Sequence, residues 1–202
     1  MHLADGVLNL PTLVGSAVCT AAGLAWGLRR LTPRTLPTAA LFTAVFFVIG
    51  TLHIPIGIGS VHLILNGLIG LLLGWLAFPV IFVALVLQAL LFSFGGFAVL
   101  GANTLLLAAP AVLAHFVLSP FVTGALKSQR KLMLLGSIAA TIGIGGATLI
   151  ASVMLWSTGQ ETLLNLIVLF SAAQVPVWLV DAIVSALVIA ALGRALPSIF
   201  IR

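Results

Sequence analysis

The chain is a succession of apolar stretches separated by short polar or glycine-containing segments. A helix needs about 20 apolar residues to cross the hydrocarbon core of a bilayer, and most of the stretches approach or exceed that length. The pattern predicts an all-α membrane bundle of about seven transmembrane helices, in a single domain spanning residues 1–202. The predicted spans are Leu10–Leu28, Pro37–Leu52, Val61–Phe78, Val80–Phe94, Thr104–Leu126, Leu132–Trp156 and Ala172–Gly193.

Two boundaries in this pattern are weakly marked. Pro79 separates the third and fourth spans, and a proline at that position must either begin a helix or kink one. Thr162–Ser171, before the last span, suits an interfacial segment.

The basic residues indicate how the spans are oriented. Cytoplasmic loops carry an excess of Lys and Arg, and seven spans with Met1 outside place every basic residue in a cytoplasmic segment. The charge pattern therefore predicts a multi-pass membrane protein with its carboxyl terminus in the cytoplasm. The basic residues are Arg29, Arg30, Arg34, Lys127, Arg130, Lys131, Arg194 and Arg202.

The segments predicted on the outer side contain most of the unusual residues. Glycines at positions 57, 59, 95, 96 and 101 predict irregular loops that pack against protein rather than lipid. These outer segments are Met1–Asn9, Thr51–Ser60, Phe94–Asn103 and Ser157–Glu161.

Composition supports a membrane protein and excludes several other classes. Of the 202 residues, 62% are hydrophobic and 5% are charged, whereas about a quarter of an ordinary soluble domain is charged. The net charge of +5 comes from the topogenic clusters and does not indicate a nucleic-acid partner. The chain has no phosphate-binding loop of the Gly-x-x-x-x-Gly-Lys-Ser/Thr type, so ATP hydrolysis would require another chain.

Histidine supplies the strongest chemical signal. Three of the four histidines, His2, His53 and His62, lie in or beside the predicted outer segments, and neutral imidazole is the commonest metal ligand. The amine of Met1 with the backbone nitrogen and imidazole of His2 would form two fused chelate rings around Cu²⁺, Ni²⁺ or Co²⁺. A fourth nitrogen must come from elsewhere, and spacing alone does not choose between His53 and His62.

Three motifs resemble those of one known family. Met1–Gly6 reads Met-His-Leu-Ala-Asp-Gly and resembles the Met-His-Ile-Pro-Asp-Gly start of the CbiM/NikM family. These proteins are the cobalt and nickel substrate-capture components of energy-coupling-factor importers. Pro55–Leu63 resembles the family segment that contains Thr-Ser-Gly-His-Leu, and Leu100–Asn103 matches its Leu-Gly-Ala-Asn.

The resemblance implies a transport component rather than an enzyme, with Ni²⁺ or Co²⁺ as the transported substrate and no permanent cofactor. It implies that Met1, His2 and His62 are the metal ligands. It also implies a location in the bacterial plasma (inner) membrane. The implied partners are a transmembrane coupling subunit, two ATPase subunits, a small accessory membrane subunit and membrane lipid.

The sequence departs from the family in ways that leave other ligands open. Ala4 replaces a proline, and His53 stands where the family has asparagine. His53 therefore remains an alternative ligand or a hydrogen-bond donor to a ligand. Asp5 either orients an imidazole or caps the helix that begins near Leu10, and Asn103 either supports the site or forms a turn.

Two polar residues lie within predicted spans. For His115, a hydrogen bond to a neighbouring helix is favoured over a role in metal transit. Asp181 is the only acidic residue in a predicted span and is a functional candidate by that position, although pairing with another helix is equally available to it.

A series of small residues, Ala17, Ala21 and Ala25, follows one face of the first span. Such a face allows close approach of another helix, either within the chain or on the coupling subunit.

Two alternative functions remain, a self-contained nickel or cobalt permease and, with less support, an integral membrane hydrolase. The chain has three acidic residues and no Gly-x-Ser-x-Gly motif, which disfavours the hydrolase.

Overall fold

The computed structural model describes residues 3–51, 54–56, 59–159 and 162–200. These residues form a helical bundle with one short antiparallel hairpin, in which Ile54 pairs with Val61. The elements are α1 (Leu10–Leu28), α2 (Leu36–Thr51), β1 (Ile54–Ile56), β2 (Gly59–Val61), α3 (Asn66–Leu73), α4 (Ala77–Phe92), α5 (Leu100–Ala125), α6 (Gln129–Trp156) and α7 (Thr162–Ala195), with 3₁₀ turns at Gly74–Leu76 and Pro197–Phe200.

Five helical runs in the described ranges are long and apolar enough to cross a membrane, and the 16-residue α2 is shorter. The helical class is therefore confirmed, whereas length and composition do not support the predicted count of seven. The main difference concerns Val61–Phe78 and Val80–Phe94, because one 3₁₀ turn joins their helical parts into a single run, Asn66–Phe92. Pro79 lies in the first turn of α4, where a missing N–H leaves no helical hydrogen bond unmade.

The chain changes direction within that run. Gly74, with a φ of +56°, ends α3 in a backbone conformation that glycine adopts without strain. Before it, α3 runs parallel to α5, because Asn66, Gly70 and Gly74 lie against Leu107, Ala111 and His115 respectively. After it, α4 runs antiparallel to α1, because Pro79 packs on Gly27 near the end of α1 whereas Gly95, past the end of α4, bonds to Asp5 before α1 begins.

Helix α5 lies at the centre of the bundle. It packs against α1, α3, α4 and α6, and the whole inner face of α3 is buried. Small residues allow the backbones to approach closely: a Cβ at Gly67 would overlap the carbonyl of Ala139, and one at Gly70 would overlap that of Ala111. Large apolar side chains point outward, as expected for helices surrounded by lipid; examples are Val18, Leu113, Phe121, Leu134, Leu149 and Leu187.

The two ends of the bundle differ in charge. We call one the Asn103 end; it contains the starts of α1 and α5 together with Asp5. We call the other the Arg30 end; it contains the last turns of α1, α3 and α7 and the junction between α5 and α6. The basic residues within the described part of the chain belong to the Arg30 end, and they are Arg29, Arg30, Arg34, Lys127, Arg130, Lys131 and Arg194.

Helix α1 has small residues on both its buried face and its exposed face. Its buried face consists of Ser16, Thr20, Gly23 and Gly27, and the Thr20 hydroxyl donates to the carbonyl of Gly101 at 2.7 Å. The predicted series Ala17, Ala21 and Ala25 lies on the exposed side, although Ala17 also touches Gly101. The internal seam of α1 is therefore formed mainly by residues outside the alanine series.

Candidate metal-binding site

The beginning of the described chain is fixed to α5 by a pair of hydrogen bonds. The Leu3 N–H donates to Asn103 Oδ1 at 2.8 Å, and Asn103 Nδ2 donates to the Leu3 carbonyl at 3.0 Å. Asn103 is 2% exposed and Leu3 is 7% exposed. The side-chain amide of Asn103 thus pairs with the backbone of Leu3 as a neighbouring β-strand would. It provides hydrogen-bond partners for both the N–H and the carbonyl of Leu3, which are buried away from water.

Asp5 forms a second attachment between the same two segments. Its N–H donates to the Gly95 carbonyl at 3.2 Å, and its Oδ1 accepts from the Val99 N–H at 3.3 Å, just before α5. The alternative that Asp5 caps α1 is wrong, because Asn9 is the N-cap and accepts from the Thr12 N–H at 3.0 Å. Asp5 instead supports the loop before α5, which lies far from Asp5 in the sequence.

His62 lines a small cavity in the same region. It follows β2, is partly buried, and has Nδ1 3.4 Å from the Leu63 carbonyl oxygen. The cavity has a volume of about 10 Å³, close to that of one water-sized sphere, and Gln88 and Leu107 also line it. Leu107 is four residues after Asn103, so the cavity and the attachment of Leu3 lie on one face of α5, about 6 Å apart along the helix.

The segment after His62 is held from α7. Asp181 Oδ1 accepts from the Ile64 N–H at 3.2 Å and from the Leu65 N–H at 2.9 Å, and Asp181 is fully buried. Leu65 has a φ of +52°, which is uncommon for a bulky residue and is maintained only where surrounding contacts require it. Asp181 therefore fixes the bend between the His62 segment and the start of α3.

Two residues that the sequence did not identify complete this support. Asn66 Nδ2 donates to the carbonyls of Leu107 at 3.0 Å and Gly143 at 3.1 Å, joining α3 to α5 and α6. Gln88 is fully buried and donates to the Phe47 carbonyl at 3.3 Å. A polar residue inside an apolar stretch is the signal that identifies both positions.

The structure places only part of the predicted ligand set. Met1, His2 and His53 lie outside the described residues. Asp5 and Asn103 lie at the Asn103 end, and His62 lines the cavity one turn further along α5. Among the described residues, no three His, Cys, Asp or Glu side chains form a group that could hold a metal ion. His115 lies two helical turns beyond Leu107, and its Nδ1 donates to the Leu71 carbonyl at 3.2 Å, which is the interhelical bond expected for it.

Comparison with known sequences shows a match over nearly the whole chain. Residues 2–199 match the family described as CbiM, the cobalt uptake substrate-specific transmembrane region. A Haemophilus influenzae protein named for metal transport is 48% identical over 202 residues, covering 100% of this chain and 98% of that protein. The fused nickel transport protein NikMN of Rhodobacter capsulatus is 33% identical over 160 residues, covering 76% of this chain and 46% of that protein.

Two solved structures share the fold. One is a crystal structure of a truncated transition metal transporter, with a TM-score of 0.72 and 26% identity, covering 98% of this chain and 99% of that one. The other, also of a transition metal transporter, has a TM-score of 0.73 and 26% identity, and the match covers 96% of this chain and 93% of that one.

Proposed function

Because this chain belongs to the CbiM family of cobalt uptake transmembrane components, we propose that it captures Ni²⁺ or Co²⁺ at its Asn103 end for ATP-driven import. Family membership, together with the five candidate membrane-spanning helices found in the described ranges, makes it a multi-pass membrane protein and a metal transport component. This agrees with the predicted family, membrane location and transport role. The transported ion is the substrate, and the proposal includes no permanent cofactor.

The proposed ligands are the amine of Met1, the backbone nitrogen and imidazole of His2, and the imidazole of His62. The observation that carries this assignment is the double hydrogen bond between Leu3 and Asn103. It fixes residue 3 beside the helix face that also borders the His62 cavity. Two residues span at most about 7 Å, which is comparable with the distance of about 6 Å along α5 between Asn103 and the level of the cavity.

Asp5, Asn103 and Asp181 have supporting roles in this proposal. Asn103 and Asp5 hold the segment that follows the amino-terminal ligands, and Asp181 holds the segment that follows His62. Residues that fix the position of ligands commonly affect metal affinity about 10–100-fold. His53 stays the alternative fourth ligand.

We further propose seven membrane crossings, with the Asn103 end outside and the Arg30 end in the cytoplasm. The reversal at Gly74 supports this count, because α3 with the preceding segment then crosses in one direction and α4 returns. The described residues nearest the two termini also lie at opposite ends, with Leu3 beside Asn103 and Phe200 beside Arg30. The basic residues at the Arg30 end support a cytoplasmic location for it.

Import against a gradient requires partners in this proposal. They are a transmembrane coupling subunit, two ATPase subunits and a small accessory membrane subunit. The exposed alanines of α1, at positions 17, 21 and 25, are the proposed docking face for the coupling subunit.

Metal uptake into vesicles, measured with and without the ATPase subunits, tests this arrangement. ATP-dependent uptake supports it, whereas full uptake without ATPases would identify a self-contained permease.

The chelate is tested by extending the amino terminus. We expect a Gly-Ser-Gly extension before Met1 to lower Ni²⁺ or Co²⁺ affinity at least about 100-fold, because it removes the amine ligand. The same extension after Arg202 is the matched control and should leave affinity unchanged. Isothermal titration of the purified proteins measures both, with thermal unfolding as a check on folding. Equal affinity in the two extended proteins contradicts the chelate.

A further inference from the structure

A large cavity lies at the Arg30 end, away from the proposed metal site. Its volume is about 620 Å³, and it is lined by the turn between α3 and α4, the second half of α5, the loop after α1 and the 3₁₀ turn Pro197–Phe200. A cavity of this size accommodates a small molecule or a lipid headgroup. The proposed metal capture makes no use of it.

Polar side chains line two sides of the cavity. His115, Ser119 and Thr123 recur every fourth residue along one face of α5, and Arg30 and Thr35 approach from the α1–α2 connection. The hydroxyls of Thr104 and Thr148 donate to the carbonyl four residues earlier, but in the described part of the chain those of Ser119 and Thr123 make no such bond. Both hydroxyls are therefore available to a molecule in the cavity.

Arg30 gives the cavity a positive charge that the described chain does not balance. The described acidic residues are Asp5, which is at the Asn103 end, and Asp181, whose carboxylate holds the bend before α3. Neither lines the cavity. A guanidinium beside free hydroxyls is a set of donors suited to a phosphate group.

Aromatic side chains indicate the depth of the cavity in the membrane. Trp75 and Phe116 line the cavity and Trp26 packs on Trp75, with ring centroids 6.2 Å apart for both the Trp26–Trp75 and the Trp75–Phe116 pair. Trp26 is 45% exposed and Phe116 is 56% exposed on the outer surface of the bundle. Aromatic residues with adjacent arginines are enriched at the headgroup level of a bilayer.

We propose that this cavity binds a phosphate-bearing anion, with Arg30 as the charged donor and Ser119 and Thr123 as hydroxyl donors. The aromatic cluster favours the phosphate of an anionic phospholipid headgroup over a free phosphate ion. Basic pockets between transmembrane helices bind such headgroups. The site is independent of the proposed metal capture.

The test compares Arg30 with its neighbour. The guanidinium carbons of Arg29 and Arg30 lie 5.9 and 6.0 Å from the Trp26 ring centroid, but Arg30 lines the cavity and Arg29 does not. Native mass spectrometry of the delipidated full chain, without metal, measures binding of phosphatidylglycerol, phosphatidylcholine and inorganic phosphate. We expect Arg30→Gln to weaken phosphatidylglycerol binding about tenfold and Arg29→Gln to leave it within about twofold.

Comparison of the three ligands identifies the source of the anion. Preference for phosphatidylglycerol over phosphatidylcholine and inorganic phosphate supports a headgroup, and Arg30-dependent binding of inorganic phosphate alone supports a soluble anion in the same site. A Ser119→Ala, Thr123→Val variant, which keeps every charge, should also weaken binding. Equal loss in Arg29→Gln and Arg30→Gln, or equal binding of phosphatidylcholine in the unmodified chain, overturns the proposal.

Discussion

The Asn103 end and the Arg30 end both contain polar side chains, but these side chains are used differently. At the Asn103 end, Asn103, Asp5 and Asp181 bond to the backbone of irregular segments. At the Arg30 end, Arg30, Ser119 and Thr123 face an open cavity. Polar side chains fix the position of the chain at the first end and remain available to a ligand at the second.

The difference explains how the proposed metal site can include non-helical backbone in a membrane protein. An unpaired N–H or carbonyl inside a membrane protein costs free energy, so an irregular segment needs a partner for each such group. Leu3, Ile64 and Leu65 obtain those partners from side chains of α5 and α7. Metal affinity should therefore depend on the Asn103 end and be insensitive to the Arg30 end.

The largest expected effect comes from His62. We expect His62→Ala to lower Ni²⁺ affinity about 100-fold, because it removes a proposed ligand, and His53→Ala to lower it by less than about fivefold. Isothermal titration measures both, and equal melting temperatures exclude misfolding. The reverse ranking would assign the fourth ligand position to His53.

Asn103 provides the next largest effect. Asn103→Leu keeps the size of the side chain but leaves the Leu3 N–H and carbonyl unpaired. We expect affinity to fall about 30-fold and the free energy of unfolding to fall by about 2 kcal/mol. Thr104→Val is the matched control, because the Thr104 hydroxyl bonds only within α5. Unchanged affinity in Asn103→Leu would separate the attachment of Leu3 from metal binding.

Asp181 tests whether α7 controls the His62 segment. We expect Asp181→Ala to weaken Ni²⁺ binding about tenfold and to shift the visible absorption of bound Ni²⁺, because Ile64 and Leu65 lose their acceptor. Asp181→Asn keeps an Oδ1 acceptor and should restore most of the affinity. If both variants bind equally weakly, the negative charge rather than the acceptor is what matters.

His115 provides the smallest effect and sharpens the contrast between the ends. His115→Ala removes a hydrogen bond to the Leu71 carbonyl in the Arg30 end cavity. We expect Ni²⁺ affinity to stay within about twofold, with a loss of thermal stability from the unpaired carbonyl. A large fall in affinity without loss of stability would place His115 on the path of the metal.

The long helices were predictable because their signal is local. The stretches at Leu10–Leu28, Thr104–Leu126 and Leu132–Trp156 correspond closely to α1, α5 and α6, since an apolar run of that length has few alternatives. The boundary between the third and fourth spans was predicted at Pro79, whereas the chain changes direction at Gly74, which the sequence does not mark because apolar residues continue on both sides of it. Pro79 marked the region, but hydropathy does not show whether such a proline begins or kinks a helix.

The candidate site was less predictable because its contacts are distant in sequence. One prediction for Asp5 was that it caps α1, the nearest helix in the sequence. Its Oδ1 instead accepts from the N–H of Val99, 94 residues later. Asn103 was identified by resemblance, but its pairing with Leu3 joins residues 100 apart. Asn66 and Gln88 were missed because a single amide in an apolar run has no periodicity.

The bond between Asp181 and Ile64 spans 117 residues, and this separation has a consequence for biosynthesis. A nascent chain that has emerged from the ribosome only as far as α6 contains His62 but not the carboxylate that shapes its neighbours. The proposed metal-binding site therefore reaches its final form only after the last helix enters the bilayer, so that truncated translation products should be unable to bind the ion.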